Sequence, residues 1–185
     1  MKARLARLPG ALAACGLAIT AFAAGEIRSH RTQVGDFSGG AWALAESTEG
    51  RFSVLMPAPF DDYTQASNTG DDRHGYFLRA KLPGTTTAFQ AMRAEYADAA
   101  ESAKNCRRAR EESLFGDSLK SRRVFELDGH TAIEMTTVDG VLWMRMRIIC
   151  LDTEGMILTV AALVAHADEG ESMSSRFFDS LKFRP

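Results

Sequence analysis

The stretch that decides the fold is "RRVFELDGHTAIEMTTVDGVLWMRMRIIC", residues 122–150. Two Asp-Gly pairs, at 128–129 and 139–140, separate runs rich in β-branched and other apolar residues. This is the pattern of hairpins closed by two-residue turns. Another turn precedes the apolar run 156–165, so the sequence predicts a four-stranded antiparallel meander over residues 120–165.

The two Asp-Gly turns also predict a register. With each pair as the central turn residues, Val138 faces Val141, and Glu134 lies between Arg123 and Arg145 on the neighbouring strands. Side chains alternate between the faces of a sheet, so one face collects Val124, Ile133, Met135, Leu142, Met144, Met146, Ile148 and Cys150. The other face collects Arg123, Glu134, Trp143, Arg145 and Arg147. A slip of one residue would move the arginines into the core, so this register is expected to be strongly selected.

Further strands and helices are predicted on both sides of the meander. Residues 51–57 and 76–82 are short apolar runs ended by prolines, typical of strands, and residues 61–75 between them form a loop or a weak strand. The hydroxyls of Thr85, Thr86 and Thr87 are possible helix caps. They precede an apolar stripe at three- and four-residue steps, which predicts a helix; the stripe is Phe89, Met92, Tyr96, Ala99, Ala100 and Ala103. A second helix is predicted to begin at Asp168 and to carry Met173, Phe177 and Leu181.

The N-terminus has the form of an export signal. Three bases without an acid occupy the first seven residues, no charge follows from Leu8 to Ala24, and small residues end the run. We expect residues 1–23 to be a signal peptide cut after Ala23. Two alternatives stay open: lipidation of Cys15 within the lipobox-like "LAAC" at 12–15, and an uncleaved membrane anchor.

The polar, glycine-rich segment 24–41 is expected to be a flexible tether, and residues 42–185 a single domain. A hydrophobic content of 45% predicts a folded chain. The net charge is −2, and the expected signal carries bases, so the mature chain is more acidic still. This balance argues against generic nucleic-acid binding, which needs a basic surplus.

Cys106 and Cys150 remain after the expected cleavage. In an oxidising compartment they are expected to form a disulfide, because Cys150 lies on the apolar face of the meander and Cys106 near the predicted helix that covers it. The alternative is two buried free thiols. A catalytic cysteine is not indicated, since no C-x-x-C motif or assignable histidine partner is present.

Two groups of residues are candidate sites. The face with Arg123, Trp143, Arg145 and Arg147 resembles an interface, because tryptophan and arginine are favoured interface anchors. The alternative is that a second helix or the N-terminal segment covers Trp143, with the arginine stems packed beside it.

The second candidate is the loop with Asp71, Asp72 and His74, which could bind a cation or support a small hydrolase. The alternative is a solvated loop. No nucleophile elbow, phosphate-binding loop or dinucleotide motif is present, so no cofactor is expected. Whether the protein is an enzyme stays open, and a non-catalytic role is expected.

The order of elements and several soft motifs resemble the PsbP-like superfamily, which includes PsbP proteins and DcrB-type bacterial envelope proteins of unknown function. The matching features are Trp42, "EGRFSVLMP" at 49–57, "LDGHTAIEM" at 127–135 and "SSRFFDSLKF" at 174–183. The resemblance implies an α+β fold, an α/β/α sandwich with a central antiparallel sheet of about six strands flanked by helices. It also implies an accessory or partner-binding role, and it transfers no functional residue.

The sequence therefore favours a periplasmic or secreted protein without catalysis that binds a protein partner or an envelope component. Contact with the membrane is expected only if Cys15 is lipidated. The alternatives are a small hydrolase or metal-dependent enzyme at the Asp71–His74 loop, and a purely structural role in the envelope.

Overall fold

The computed structural model describes residues 26–33, 41–67, 72–111 and 115–184. The expected signal peptide and Cys15 lie outside these residues. The strands are β1 Ile27–Gln33, β2 Trp42–Glu46, β3 Phe52–Pro57, β4 Phe60–Ala66, β5 His74–Lys81, β6 Ala88–Glu95, β7 Leu119–Leu127, β8 His130–Asp139, β9 Leu142–Cys150, β10 Glu154–Leu163 and β11 Lys182–Phe183. The α-helices are α1 Ala99–Glu111 and α2 Ala167–Phe178.

The strands form two antiparallel sheets. The large sheet has eight strands in the order β1-β4-β5-β6-β10-β9-β8-β7, and the small sheet has three in the order β11-β3-β2. The predicted α+β class and the central antiparallel sheet flanked by helices are confirmed, whereas the predicted strand number of about six is too low. Two of the additional strands come from segments predicted to be a tether and a helix.

One face of the large sheet, which we call the aromatic face, is covered by α2 and the small sheet. Its core includes Phe89 of β6, Trp143 of β9 and Leu158 of β10, packed against Phe177 and Phe178 of α2. Phe52, Val54 and Met56 of β3 are buried in the same core. Phe177 meets Phe89 edge-on, with ring centroids 5.5 Å apart.

The opposite face, which we call the methionine face, has a separate core. It contains four methionines, which are Met92, Met135, Met144 and Met146. Ala109 of α1 is fully buried in this core, and Cys106 packs against it. Each helix therefore closes a different face of the sheet.

The register of the β7–β8 hairpin is as predicted, with Arg123 opposite Glu134 and Val124 opposite Ile133. The next hairpin is shifted by two residues, because Val138 pairs with Trp143 and Glu134 with Arg147. A tight hairpin needs a positive φ at its first central residue. Gly140 provides it with a φ of 56°, so Gly140 and Val141 form the turn rather than Asp139 and Gly140. A shift of two residues leaves every side chain on its predicted face.

The helix predicted from the threonines at 85–87 onward is wrong for its first half. Residues 88–95 form strand β6, between β5 and β10, and the helix begins only at Ala99. A central strand with both faces covered is apolar on both sides. Phe89 and Ala91 therefore enter the aromatic core while Met92 and Ala94 enter the methionine core, and this produces spacings that also fit a helix.

The predicted tether is wrong for residues 27–33, which form β1 and pair with β4 from Gln33↔Phe60 to Ile27↔Gln65. Backbone hydrogen bonds hold an edge strand without an apolar pattern, so the sequence shows no strand signal there. Residues 24–25 and 34–40 of the predicted tether lie outside the described part. Of residues 61–75, left open between loop and weak strand, 61–66 belong to β4 and 74–75 begin β5, and 68–71 lie outside the described part. The predicted C-terminal helix is present, but it begins at Ala167 after His166, so Asp168 lies in its first turn rather than at the cap.

Candidate functional site

A buried ion cluster lies on the aromatic face at Glu134. Arg147 donates to Glu134 Oε1 from Nε at 2.9 Å and from Nη2 at 2.6 Å. Arg123 Nη2 donates to the same oxygen at 3.0 Å, and Arg145 Nη2 donates to Oε2 at 2.9 Å. The sequence predicted two arginines beside Glu134, and the structure has three. The hairpin shift places Arg147 opposite Glu134, and Arg145 stays within hydrogen-bonding distance.

The arginines change the acidity of Glu134. Burial raises the pKa of this carboxyl, but the hydrogen bonds from Arg145, Arg123 and Arg147 outweigh burial and lower it to about 2. The carboxylate is therefore charged at all physiological pH values. The charged carboxylate holds the three arginine side chains in place. With a pKa this low, it is a poor proton donor or acceptor near neutral pH.

Helix α2 covers this cluster. Arg145 Nη1 bonds Glu171 and donates to Ser174 Oγ at 3.0 Å, and Arg147 Nη2 donates to Asp179 Oδ1 at 2.9 Å. The arginines therefore tie the sheet to α2 and to the residue that follows it.

Trp143 also lies beneath α2. Its relative exposure is 6%, and a Cβ on Gly170 would lie 2.6 Å from Trp143 Cζ3. Only glycine allows the helix to pack this closely, so the tryptophan ring cannot act as an exposed anchor.

Most of the predicted partner-binding face is thus covered in the structure. Trp143 and Arg147 are buried, and Arg145 is mostly covered, as the alternative of a covering helix required. Of the four predicted residues, only Arg123 has a largely exposed side chain, at 64%. Arg123 belongs to β7, the strand at one edge of the large sheet.

Strand β7 is the last strand of the large sheet. It pairs with β8 on one side, and within the described ranges no strand pairs with its other side. Six of its nine side chains are exposed; these belong to Lys120, Ser121, Arg122, Arg123, Val124 and Glu126. Phe125 holds the strand to the aromatic face, with Arg123 over its ring at 4.7 Å and Arg147 at 5.5 Å. The sequence predicted this strand but not its place at the edge, which depends on the distant pairing of β6 with β10.

Cys106 and Cys150 form a disulfide in the structure, with their Cα atoms 5.7 Å apart. This agrees with the predicted pairing. The bond joins α1 to the end of β9 and fixes the helix on the methionine face. Beside it, Ser102 Oγ donates to the carbonyl of Leu151 at 2.6 Å and adds a polar contact between helix and sheet.

The structure describes only part of the predicted Asp71–His74 site. Asp71 lies outside the described residues, Asp72 is exposed, and His74 is the first residue of β5. His74 lies instead against Glu95, with its Nδ1 3.4 Å from Oε2. Among the described residues, no group of three or more His, Cys, Asp or Glu side chains is placed to hold a metal ion.

A polar cluster that the sequence did not indicate surrounds Glu95. Tyr76 donates its hydroxyl proton to Glu95 Oε1 at 2.5 Å, and the His74 amide donates to Oε2 at 2.8 Å. Burial, the hydrogen bond to Glu95 and the nearby carboxylates raise the pKa of Tyr76. Beside it, Arg93 bonds Glu154 and donates to the carbonyl of Gly50 at 2.8 Å. These bonds fasten the loop before β3 to the sheet.

No helix in the described part of the chain has the length and apolar character needed to cross a bilayer.

No protein-family model matches the chain, and no curated protein matches it at a significant level. Among solved structures, the chain is similar to cyanobacterial PsbP (CyanoP) from Synechocystis sp. PCC 6803, determined in solution. The TM-score is 0.48 at 10% identity, over 82% of this chain and 97% of that chain. That protein bears the name of the family that the sequence motifs resemble.

Proposed function

We propose that the protein is an exported accessory module of the bacterial envelope, and that it acts by binding a protein partner or envelope component rather than by catalysis. The observation that carries this proposal is the outer edge of β7, a nine-residue strand with most of its side chains exposed. Edge strands present hydrogen-bonding backbone groups that a partner can pair with. Three of the four interface residues expected from the sequence are buried or mostly covered, and the fourth, Arg123, is exposed on β7. We therefore propose β7 as the docking surface.

Two features support export. The N-terminal segment has the charge and hydropathy of a signal peptide, and the Cys106–Cys150 bond belongs to the chemistry of oxidising compartments. The intact mass of the protein isolated from cells tests this. We expect a chain that starts at Ala24, bears no acyl group and contains one disulfide. A full-length chain with reduced thiols would contradict export, and an acylated chain starting at Cys15 would replace cleavage by lipidation.

Photo-crosslinking in intact cells tests the docking surface. A photoreactive amino acid at Ser121, an exposed position of β7, is expected to trap one dominant partner. The same amino acid at Leu44 is the matched control, because Leu44 is an exposed residue on β2, the edge strand of the small sheet. Failure to trap any partner from Ser121, or equal yields at both positions, would refute binding through β7.

A further inference from the structure

We infer that the partner of β7 is a second copy of this chain, paired antiparallel about a two-fold axis at Val124. This inference rests on the proposed docking surface and names its occupant. In this dimer the two large sheets join edge to edge, and each β7 becomes a central strand. Three features of β7 support it: the direction of its backbone groups, the order of its charges and the exposure of Val124.

The direction of the backbone groups follows from the β7–β8 hairpin. Its turn at Asp128 and Gly129 makes Leu127 and His130 a hydrogen-bonded pair, and bonded pairs recur at every second residue. Phe125 and Arg123 therefore direct their backbone toward β8. Val124 and Glu126 direct their amide and carbonyl groups outward, where a further strand would bind.

The order of charges along this edge is complementary to itself. An antiparallel pairing that places Val124 opposite Val124 of the second copy also places Arg122 opposite Glu126, twice by symmetry. Lys120 and Asp128 approach each other at the two ends. On the aromatic face, Arg123 comes opposite Phe125 of the second copy, the same cation–π pair that exists within one chain at 4.7 Å.

Three neighbouring two-fold registers lack this complementarity, and a fourth, about Phe125, places Glu126 opposite Val124 instead of Arg122. Moving the axis to Arg122 or Glu126 would oppose like charges, and moving it to Arg123 would oppose two arginines. Charges on an edge strand usually prevent edge-to-edge association. Here their order favours one self-pairing, because opposite-charge cross-strand pairs stabilise a sheet and like charges destabilise it.

Val124 lies at the centre of the proposed interface. It is an apolar side chain with 47% exposure on a strand whose other exposed side chains are all polar or charged. Pairing would bring the two valines together, and cross-strand pairs of β-branched residues are favourable.

Sedimentation equilibrium and light scattering of the purified, oxidised protein test the dimer. We expect a concentration-dependent dimer, and a monomer at hundreds of micromolar would overturn the inference. Val124→Pro removes the outward amide without removing a bond to β8, and it should weaken dimerisation at least tenfold. Leu44→Pro is the matched control, because the bonds that flank β2 direct the Leu44 amide outward from the small sheet. This control should leave the dimer intact.

A charge exchange provides the second test and does not depend on proline. Arg122→Glu and Glu126→Arg should each weaken the dimer about tenfold, because each opposes like charges twice. Mixing the two single variants should restore a dimer, since each chain then offers the charges that the other lacks. An unchanged dimer affinity in both single variants, or a mixture that stays monomeric, would overturn the register about Val124.

The crosslinking result separates this inference from the proposed function. A homodimeric adduct from Ser121 supports both. A monomer in solution combined with a different protein trapped from Ser121 would overturn the dimer and leave the binding function standing. If Ser121 gives no adduct at all, the proposed binding function through β7 is refuted as well.

Discussion

The two faces of the large sheet are closed by different chemistry. On the aromatic face, α2 is held by edge-on and tilted aromatic rings and by arginines that bridge Glu134 to the helix. On the methionine face, α1 is held by a disulfide and by a core of methionines. The aromatic face therefore depends on close packing and on charge, and the methionine face depends on a covalent bond. Four measurements can separate these dependences.

Phe177→Ala should have the largest effect, a loss of about 3–5 kcal/mol in the free energy of unfolding. The ring is fully buried between Phe89 and Phe178, so truncation leaves a cavity in the aromatic core. Urea denaturation measures the loss. Ser175→Ala, at an exposed position of the same helix, is the control and should change stability little. A loss below 1 kcal/mol at Phe177 would mean that ring packing does not hold α2.

Loss of the disulfide should rank second. The bond closes a separation of 44 residues, and the chain-entropy relation gives about 4 kcal/mol as its contribution. The Cys106→Ala/Cys150→Ala double variant should unfold at a correspondingly lower urea concentration. A reducing agent should destabilise the natural protein by a similar amount and should not affect the double variant. Equal stability of the oxidised and reduced natural protein would contradict the covalent role on the methionine face.

Acid should weaken the aromatic face in a defined pH window. The pKa of Glu134 is about 2 in the folded protein and has an ordinary value of 4.5, so its contribution is fully present above about pH 4.5. Stability is lost as the pH falls from about 4.5 to 2, by about 3 kcal/mol in total.

Glu134→Gln tests whether this residue causes the acid effect. The variant should be less stable at neutral pH, because the arginines lose their buried counter-charge, and its stability should vary less over this window. An unchanged pH dependence in the variant would assign the acid effect to other carboxylates.

Thr159→Val should have the smallest effect, a gain of up to about 1 kcal/mol. Thr159 is buried on β10, and its hydroxyl is without a hydrogen-bond partner in the structure. Burial therefore removes the hydroxyl from water, and no hydrogen bond within the protein compensates for the lost hydration. Thr64→Val is the matched control, since the buried Thr64 hydroxyl donates to Glu49 Oε2 at 2.5 Å and its removal should destabilise the protein. Destabilisation by both substitutions would reveal a partner for the Thr159 hydroxyl.

The predictable parts of the fold are those with local causes. The Asp-Gly turn at 128–129 fixes the β7–β8 register, since both residues adopt a positive φ. The alternation along β9 places arginines on one face and methionines on the other in any register shifted by an even number of residues. The Cys106–Cys150 pairing was also predictable, because it required only that a helix cover the apolar face of the meander.

Other parts depend on contacts between distant residues. β4 carries buried polar side chains, Asp62 and Thr64, and these are satisfied by Thr48 and Glu49 from an earlier loop. No local pattern distinguishes this strand from a loop. The burial of Trp143 likewise depends on Gly170, and the sequence alone does not show that this glycine lies over the indole ring.

The position of α2 and β11 has a consequence for the order of assembly. Both residues of β11 pair with β3, near the start of the domain, and α2 supplies the rings that complete the aromatic core. While residues 167–183 are still in the ribosome, the aromatic side of the growing polypeptide stays open to water. Assembly of this side must therefore await release of nearly the whole chain, and a C-terminal fusion that strained β11 would act on residues more than a hundred positions upstream.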